Sequence, residues 1–222
     1  MTRHCPTLRE VKHARTKLDI ANAFVRRLRT SRYEEISIRE LCRSVEISEG
    51  TFFNYFPEKI DIIHYHMSFL ILKTVWTARQ TVPPGRPLDL IEEAFARMAE
   101  ELHSANLGYQ LISIMVNQQL RPKIIDIPPL EKRLAFPRCE GIEKSPIVSL
   151  PDFFKECIRE AKKRGDLPDD VVEDDVVISL LAIMAGTLIA AKLETVKDKA
   201  HQYRRQLGLL WKGLGARVGM RT

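Results

Sequence analysis

Two serines eleven residues apart, Ser37 and Ser48, each stand where a helix can begin. Ser37 opens Ser-Ile-Arg-Glu, an S-x-x-E capping box. The serine oxygen can accept from the Glu40 amide while the glutamate returns to the serine amide. Ser48 opens SEGTFFNYF and can cap a second helix running to about Tyr55. A helix that starts at Ser37 must end before the next begins at Ser48. Residues 37–56 are therefore two short helices, with Glu46 and Ile47 making the turn. Ile38, Leu41, Cys42 and Val45 give the first of them one apolar face.

A longer helix precedes this pair. Ala14, Leu18, Ala21, Val25 and Leu28 recur at helical spacing, with Ile20 and Phe24 widening the stripe, which predicts a helix over 10–29. After the pair, Pro57 suits the first position of a fourth helix over 57–79, with Glu58 and Asp61 in its acidic first turn. Ile60, Ile63, Met67, Leu70 and Val75 are its inward residues. TVPPGRP, residues 81–87, is a loop because paired prolines and a glycine stop a helix. Further helices are expected near 87–103, 106–119, 149–164, 171–195 and 198–214. Residues 121–149 hold five of the twelve prolines and carry no clear pattern. Strand signals are weak throughout, so the fold class is all-α.

A short pair of helices behind a longer one is a helix-turn-helix module, whose second short helix enters the major groove of DNA. In SEGTFFNYF, Phe52 and Phe56 share an inner face with Ile47. Glu49, Gly50, Thr51, Phe53 and Tyr55 then point elsewhere. An exposed aromatic is useful against a sugar-phosphate backbone or a thymine methyl. Gly50 permits close backbone approach, and the amides of a helix start favour phosphate.

The charge distribution agrees with a polyanion partner at the N-terminal end. Residues 1–60 carry 12 Lys or Arg against 8 Asp or Glu, residues 61–196 carry 16 against 20, and residues 197–222 carry 7 against 1. The four cysteines are scattered and form no C-x-x-C pair. His64 and His66, two apart on a helix, face different ways, so no metal ligand set is predicted. The apolar stretch 176–194 ends in charge and reads as a buried helix rather than a membrane span, and residues 1–20 contain no signal-peptide apolar core. The expected location is the cytoplasm.

The stretch SIRELCRSVEISEGTFFNYFPEKIDII resembles the DNA-binding segment of the TetR family of transcriptional regulators. Ser37, Arg39, Ile47, Ser48, Gly50, Thr51, Phe52, Asn54, Tyr55, Phe56 and Lys59 occupy matching places. Ile20, Ala23 and Tyr33 match upstream. The likeness covers about 45 residues closely; beyond residue 75 it is architectural only. It implies that Ser37 caps and touches phosphate and that Arg39 reaches a base or phosphate. It also implies that Thr51, Tyr55 and Lys59 hold phosphates and that Glu49 and Asn54 lie near bases or backbone. Three positions depart from the pattern. Glu49 stands where Lys or Gln is common and can accept from a cytosine N4 amine. Phe53 replaces a common Tyr. Arg32 replaces a common Gly before Tyr33, where a left-handed residue would be strained.

The resemblance implies a basic arm over 1–12, a DNA-binding domain over 13–60 and a ligand-sensing and dimerisation domain over 61–214, followed by a basic tail over 215–222. It implies a homodimer formed through about 150–164 and 172–194. In the longer of these helices Val176, Leu180, Ile183 and Thr187 form one row, with Ala182, Ala185, Gly186, Ala190 and Ala191 as small neighbours. Trp76, Phe95, Met98, Leu102, Tyr109, Met115 and Met184 are candidates to line a pocket for a small apolar ligand. The expected function is a dimeric repressor that binds a palindromic operator and is released by a small molecule, with no cofactor. The alternative is a helical ligand-binding or adaptor protein with weakened or lost DNA binding. An enzyme is not expected, since the sequence contains no G-x-S-x-G, Walker motif, zinc-ligand cluster or Cys–His arrangement.

Overall fold

A computed structural model describes residues 6–102, 104–118, 123–193 and 195–216. The arm expected over 1–12 falls within them only from Pro6, and the tail over 215–222 only as far as Ala216; His4 and Cys5 lie outside. Among the described residues the regular structure is entirely helical: α1 Leu8–Leu28, α2 Ile38–Ser44, α3 Glu49–Tyr55, α4 Lys59–Thr81, α5 Pro87–Glu101, α6 Ala105–Asn117, α7 Pro129–Ala135, α8 Leu150–Lys163, α9 Glu173–Lys192 and α10 Lys199–Gly213. Short 3-10 turns occupy Tyr33–Glu35 and Ile142–Lys144. Cys42, Cys139 and Cys157 are free thiols.

Several helix starts have local causes. α1 begins at a complete capping box: the Thr7 hydroxyl accepts from the Glu10 amide at 3.2 Å, and Glu10 accepts from the Thr7 amide at 2.7 Å. The box expected at Ser37 forms only by half. Ser37 accepts from the Glu40 amide at 3.4 Å, but the Glu40 carboxylate accepts from Arg27 Nη1 at 2.9 Å instead of returning to the serine. Arg27 is the stronger, charged donor. Pro57 does not open α4, which starts two residues later. There Asp61 accepts from the Glu58 amide at 2.9 Å and caps the first turn. Arg32 is extended (φ −72°), so the strain expected there is absent.

Packing divides the chain into two compact units. The first comprises residues up to Leu72 together with Ser113–Ile147, and the second Lys73–Ile112 together with residues from Val148 onward. These units are drawn differently from the functional division expected at residue 60, because the proline-rich stretch packs with the N-terminal helices. In the first unit, Ala14, Leu18, Ile20, Ala21, Phe24, Val25 and Leu28 of α1 are all buried, as their spacing predicts. A chain of rings runs from Phe52 to Phe56 (6.2 Å between centroids), Tyr65 (5.5 Å), Phe69 (4.9 Å) and Phe136 (5.5 Å). Beside it, Glu131 of α7 is 4% exposed and accepts from the Tyr65 hydroxyl at 2.7 Å, with the Lys17 ammonium 3.6 Å away. Lys17 Nζ also lies 4.6 Å from the centre of the Tyr65 ring. Three helices distant in sequence are thereby joined at one carboxylate. Burial and the adjoining carboxylate push the Tyr65 hydroxyl well above its ordinary range.

In the second unit α5, α8, α9 and α10 pack together. Phe95 stacks on Phe154 (5.7 Å) and meets Tyr203 edge-on (5.0 Å), and Trp211 Nε1 donates to Glu92 at 3.0 Å. α9 is, by length and composition, apolar enough to cross a membrane, which the sequence reading of 176–194 did not allow. It is nonetheless packed against α8 and α10. Its apolar residues surround the helix, so periodicity could not say which face turns inward. Val176, Leu180 and Thr187, part of the row expected at an intersubunit surface, are buried within the unit. Ile178, Ala182, Gly186, Ile189 and Leu193 are exposed instead.

Replacing Glu131 with Ala should strand the buried Tyr65 hydroxyl and remove the partner of Lys17. Urea unfolding followed by far-UV circular dichroism is expected to show a loss of about 2 kcal/mol. An unchanged midpoint would mean that the three-helix junction does not depend on this carboxylate.

Candidate nucleic-acid interface

The turn between α2 and α3 is a Schellman motif. The Ile47 amide donates to the Cys42 carbonyl at 3.1 Å and the Glu46 amide to the Arg43 carbonyl at 3.4 Å. This geometry requires a left-handed residue, and Glu46 supplies it with φ 57°. The ends of α8 and α10 have the same long bond, Asp166 to Ala161 and Ala216 to Trp211, but place Gly165 (φ 73°) and Gly215 (φ 68°) at the left-handed position. Glu46 is therefore the strained residue of this module, and the sequence reading, which looked to Arg32, missed it. The signal was present: a helix ending at Ser44, four residues before the Ser48 cap, needs a reversal at 46.

α3 has three distinct faces. Phe52 is fully buried and Phe56 nearly so, which fixes the helix to its own unit. A row of hydroxyls, Ser48, Thr51 and Tyr55, runs along a second face. Ser48 accepts from the Thr51 amide at 3.1 Å, and the two side-chain oxygens lie 2.8 Å apart. Glu49, Gly50, Phe53 and Asn54 are exposed on the remaining surface. Phe53 is 45% exposed and leans edge-on against Phe52 at 5.2 Å. Phe52 thus forms a base on which an outward ring is held at a fixed angle.

The sequence-predicted residues sit together on and beside this helix. Arg39 is exposed in the first turn of α2, and Ser37 is half-buried as its cap. Lys59, half-buried at the start of α4, donates to the Tyr33 carbonyl, and its ammonium lies 4.4 Å from the centre of the Tyr33 ring. Burial lowers the Lys59 pKa, with Glu34 opposing that shift; Tyr33 itself is pushed up to about 12 by burial and by Glu34, Glu58 and Asp61. Lys59 is thus already committed to a backbone carbonyl, although an ammonium has two further donors. His13 of α1 also abuts the site, its ring 4.6 Å from that of Tyr55. Burial, with Glu49 second, raises the Cys42 pKa, which suits an inert core thiol beneath the helix.

The candidate ligand residues are dispersed. Phe95, Met98, Leu102 and Met184 are buried in the second unit, where the Met184 carbonyl accepts from Tyr203. Trp76 is half-buried and Tyr109 lies at the surface with Lys192 over its ring, while Met115 belongs to the first unit. A cleft of about 240 Å³ in the second unit is lined by Arg79, the 82–87 loop, Leu90, Glu156, Cys157 and Glu160, and by none of those seven.

Known structures share this fold. Thermus thermophilus FadR, a TetR-family repressor solved with lauroyl-CoA, matches 93% of this chain over 98% of its own, with TM-score 0.60 and 20% identity. A putative TetR-family regulator from Rhodococcus sp. matches 91% over 99% of its length, with TM-score 0.63 and 10% identity. The regulatory protein TetR from Rhodobacter sphaeroides matches 86% over 96%, with TM-score 0.52 and 21% identity. The fold is that of the TetR family. No family model matches the sequence, and no curated protein matches it either. The TetR-family fold thus extends over nearly the whole chain, well beyond the 45 residues in which the sequence carries the likeness.

Replacing Glu46 with Gly relieves the left-handed backbone without removing a described side-chain contact. Thermal unfolding should show a gain of about 1 kcal/mol. A loss would mean that the Glu46 side chain stabilises the turn in its own right.

Proposed function

We propose that this protein is a DNA-binding transcriptional regulator: a homodimeric repressor that places two copies of α3 in successive major grooves of a palindromic operator and is released by a small molecule. The observation that carries the reading is the division of α3. Phe52 and Phe56 anchor it, leaving a hydroxyl row and an exposed Glu-Gly-x-x-Phe-Asn surface with no protein to cover it. Backbone amides at the helix start, together with Ser48, Thr51 and Tyr55, suit phosphate, and Glu49 and Asn54 suit base edges. The acid at Glu49 favours cytosine, whose N4 amine donates.

Dimerisation is supported by the outward stripe of α9. Ile178, Ala182, Gly186, Ile189 and Leu193 form a continuous face, and a Cβ added at Gly186 meets nothing within 4 Å. The outer face of α8 is charged, with Glu156, Arg159, Glu160 and Lys163 exposed, so α9 supplies the apolar part of the 150–164 and 172–194 surface. Ligand response draws on the fold and on the lauroyl-CoA complex of the Thermus protein. α4 is shared by the two compact units, so a ligand that favours one α4 position over another changes the spacing of the α3 helices.

Selection from random duplex DNA at low salt should enrich a palindrome with half-site centres about 34–36 Å apart, or a multiple of that spacing. Affinity for the enriched duplex should fall steeply as salt rises. Failure to enrich any sequence, with intact folding, would leave the adaptor reading in its place.

Gly50 provides a sharper test. An added Cβ would meet only Ser48 Oγ, at 3.9 Å, and the backbone is not left-handed, so nothing inside the protein requires glycine. Gly50→Ala should stabilise the fold by about 0.5 kcal/mol while weakening binding to the enriched duplex. Stability and affinity that rise together would contradict close approach of DNA at this residue.

A further inference from the structure

The DNA-facing row of α3 does not end within α3. Ser48 and Thr51 are fixed by their hydrogen bonds to one another, but Tyr55, a turn further along, has no such local bond to the row. Its ring is met instead by His13 of α1, at 4.6 Å between centroids and an interplanar angle of 40°. His13 is exposed and Tyr55 half-buried, so this pair is not part of the core that holds α1 in place; Ala14, Leu18 and Ala21 do that. A tyrosine at the C-terminal end of a seven-residue helix has free rotamers unless something limits them. Among the described residues, the one aromatic surface that meets the Tyr55 ring comes from another helix. α1 also presents Arg9 and Lys12, both exposed, within a turn of His13, so this end of α1 is positive.

We infer that His13 is a positioning residue of the DNA site, which holds the Tyr55 ring so that its hydroxyl continues the Ser48–Thr51 row toward a backbone phosphate. The inference rests on the DNA-binding reading and deepens it. His13 acts through Tyr55, by ring contact, and its removal costs affinity rather than fold.

The test is a double-mutant cycle on the full-length protein, read as affinity for the duplex enriched by selection, with thermal unfolding of each variant alongside. His13→Ala should weaken binding about five-fold, the scale of one aromatic pair, without shifting the unfolding midpoint appreciably. Tyr55→Phe should weaken it comparably. The double variant should bind no more weakly than the weaker single one, because the two changes remove the same contact. His13→Phe, which keeps a ring at this place, should restore most of the affinity. Unchanged binding by His13→Ala, or a full additional loss on the Tyr55→Phe background, would overturn the inference while leaving DNA binding intact. Enrichment of no duplex by the wild-type protein would overturn both.

Discussion

The carboxylate of Glu131 is the junction on which the first unit depends. It is almost wholly buried, and burying such a polar group is costly unless its partners are close. Tyr65 and Lys17 provide them, from α4 and α1. The same Tyr65 ring lies in the aromatic chain that includes Phe56, at the end of α3. The orientation of α3 is therefore set by its packing on α2, by the ring contact with α1 and by the ring chain that runs from Phe56 into α4, and not by the short helix itself. A seven-residue helix is marginal on its own in water. Here tertiary contacts hold it, and its outward surface can be given over to polar and strained features.

Those features make one pattern. Glu46 holds a conformation that glycine holds at two other helix ends of this chain. Gly50 occupies a helix where alanine would fit. Phe53 leaves nearly half of its surface exposed. Each lowers stability or solubility in the free protein, and Gly50 and Phe53 suit contact with a nucleic acid. Glu49 takes its meaning from this setting. On the surface proposed to face DNA, an acid would weaken general attraction and would gain discrimination where an amine-bearing base edge meets it.

Much of this was legible in the sequence where the signal is local. The α1 stripe, the Ser48 cap, the turn at 46–47 and the inward pair Phe52 and Phe56 all follow from spacing and side-chain type. Readings failed where a distant partner decides. Glu40 was expected to return to Ser37 but is drawn to Arg27, thirteen residues away. Pro57 is a local miss: α4 starts at Lys59, where the Asp61 carboxylate accepts from the Glu58 amide. The stretch 121–149 was unreadable because its prolines erase periodicity, and Glu131 within it accepts from the hydroxyl of a tyrosine 66 residues earlier. α9 is apolar on all sides, so its outward stripe emerged only once α8 and α10 were seen to cover the opposite face. His13 carried no sequence signal, since its role depends on α1 and α3 meeting.

The central claim is that α3 meets DNA through its open end and its hydroxyl row, while its aromatic anchor stays within the protein. Amide hydrogen exchange with and without the enriched duplex measures this directly. The amides of Glu49 and Gly50 at the helix start should gain strong protection when DNA binds. The Phe52 and Phe56 amides, already bonded to the Ser48 and Phe52 carbonyls, should change little by comparison. Protection that appears elsewhere on the chain and leaves residues 48–55 unchanged would contradict the account.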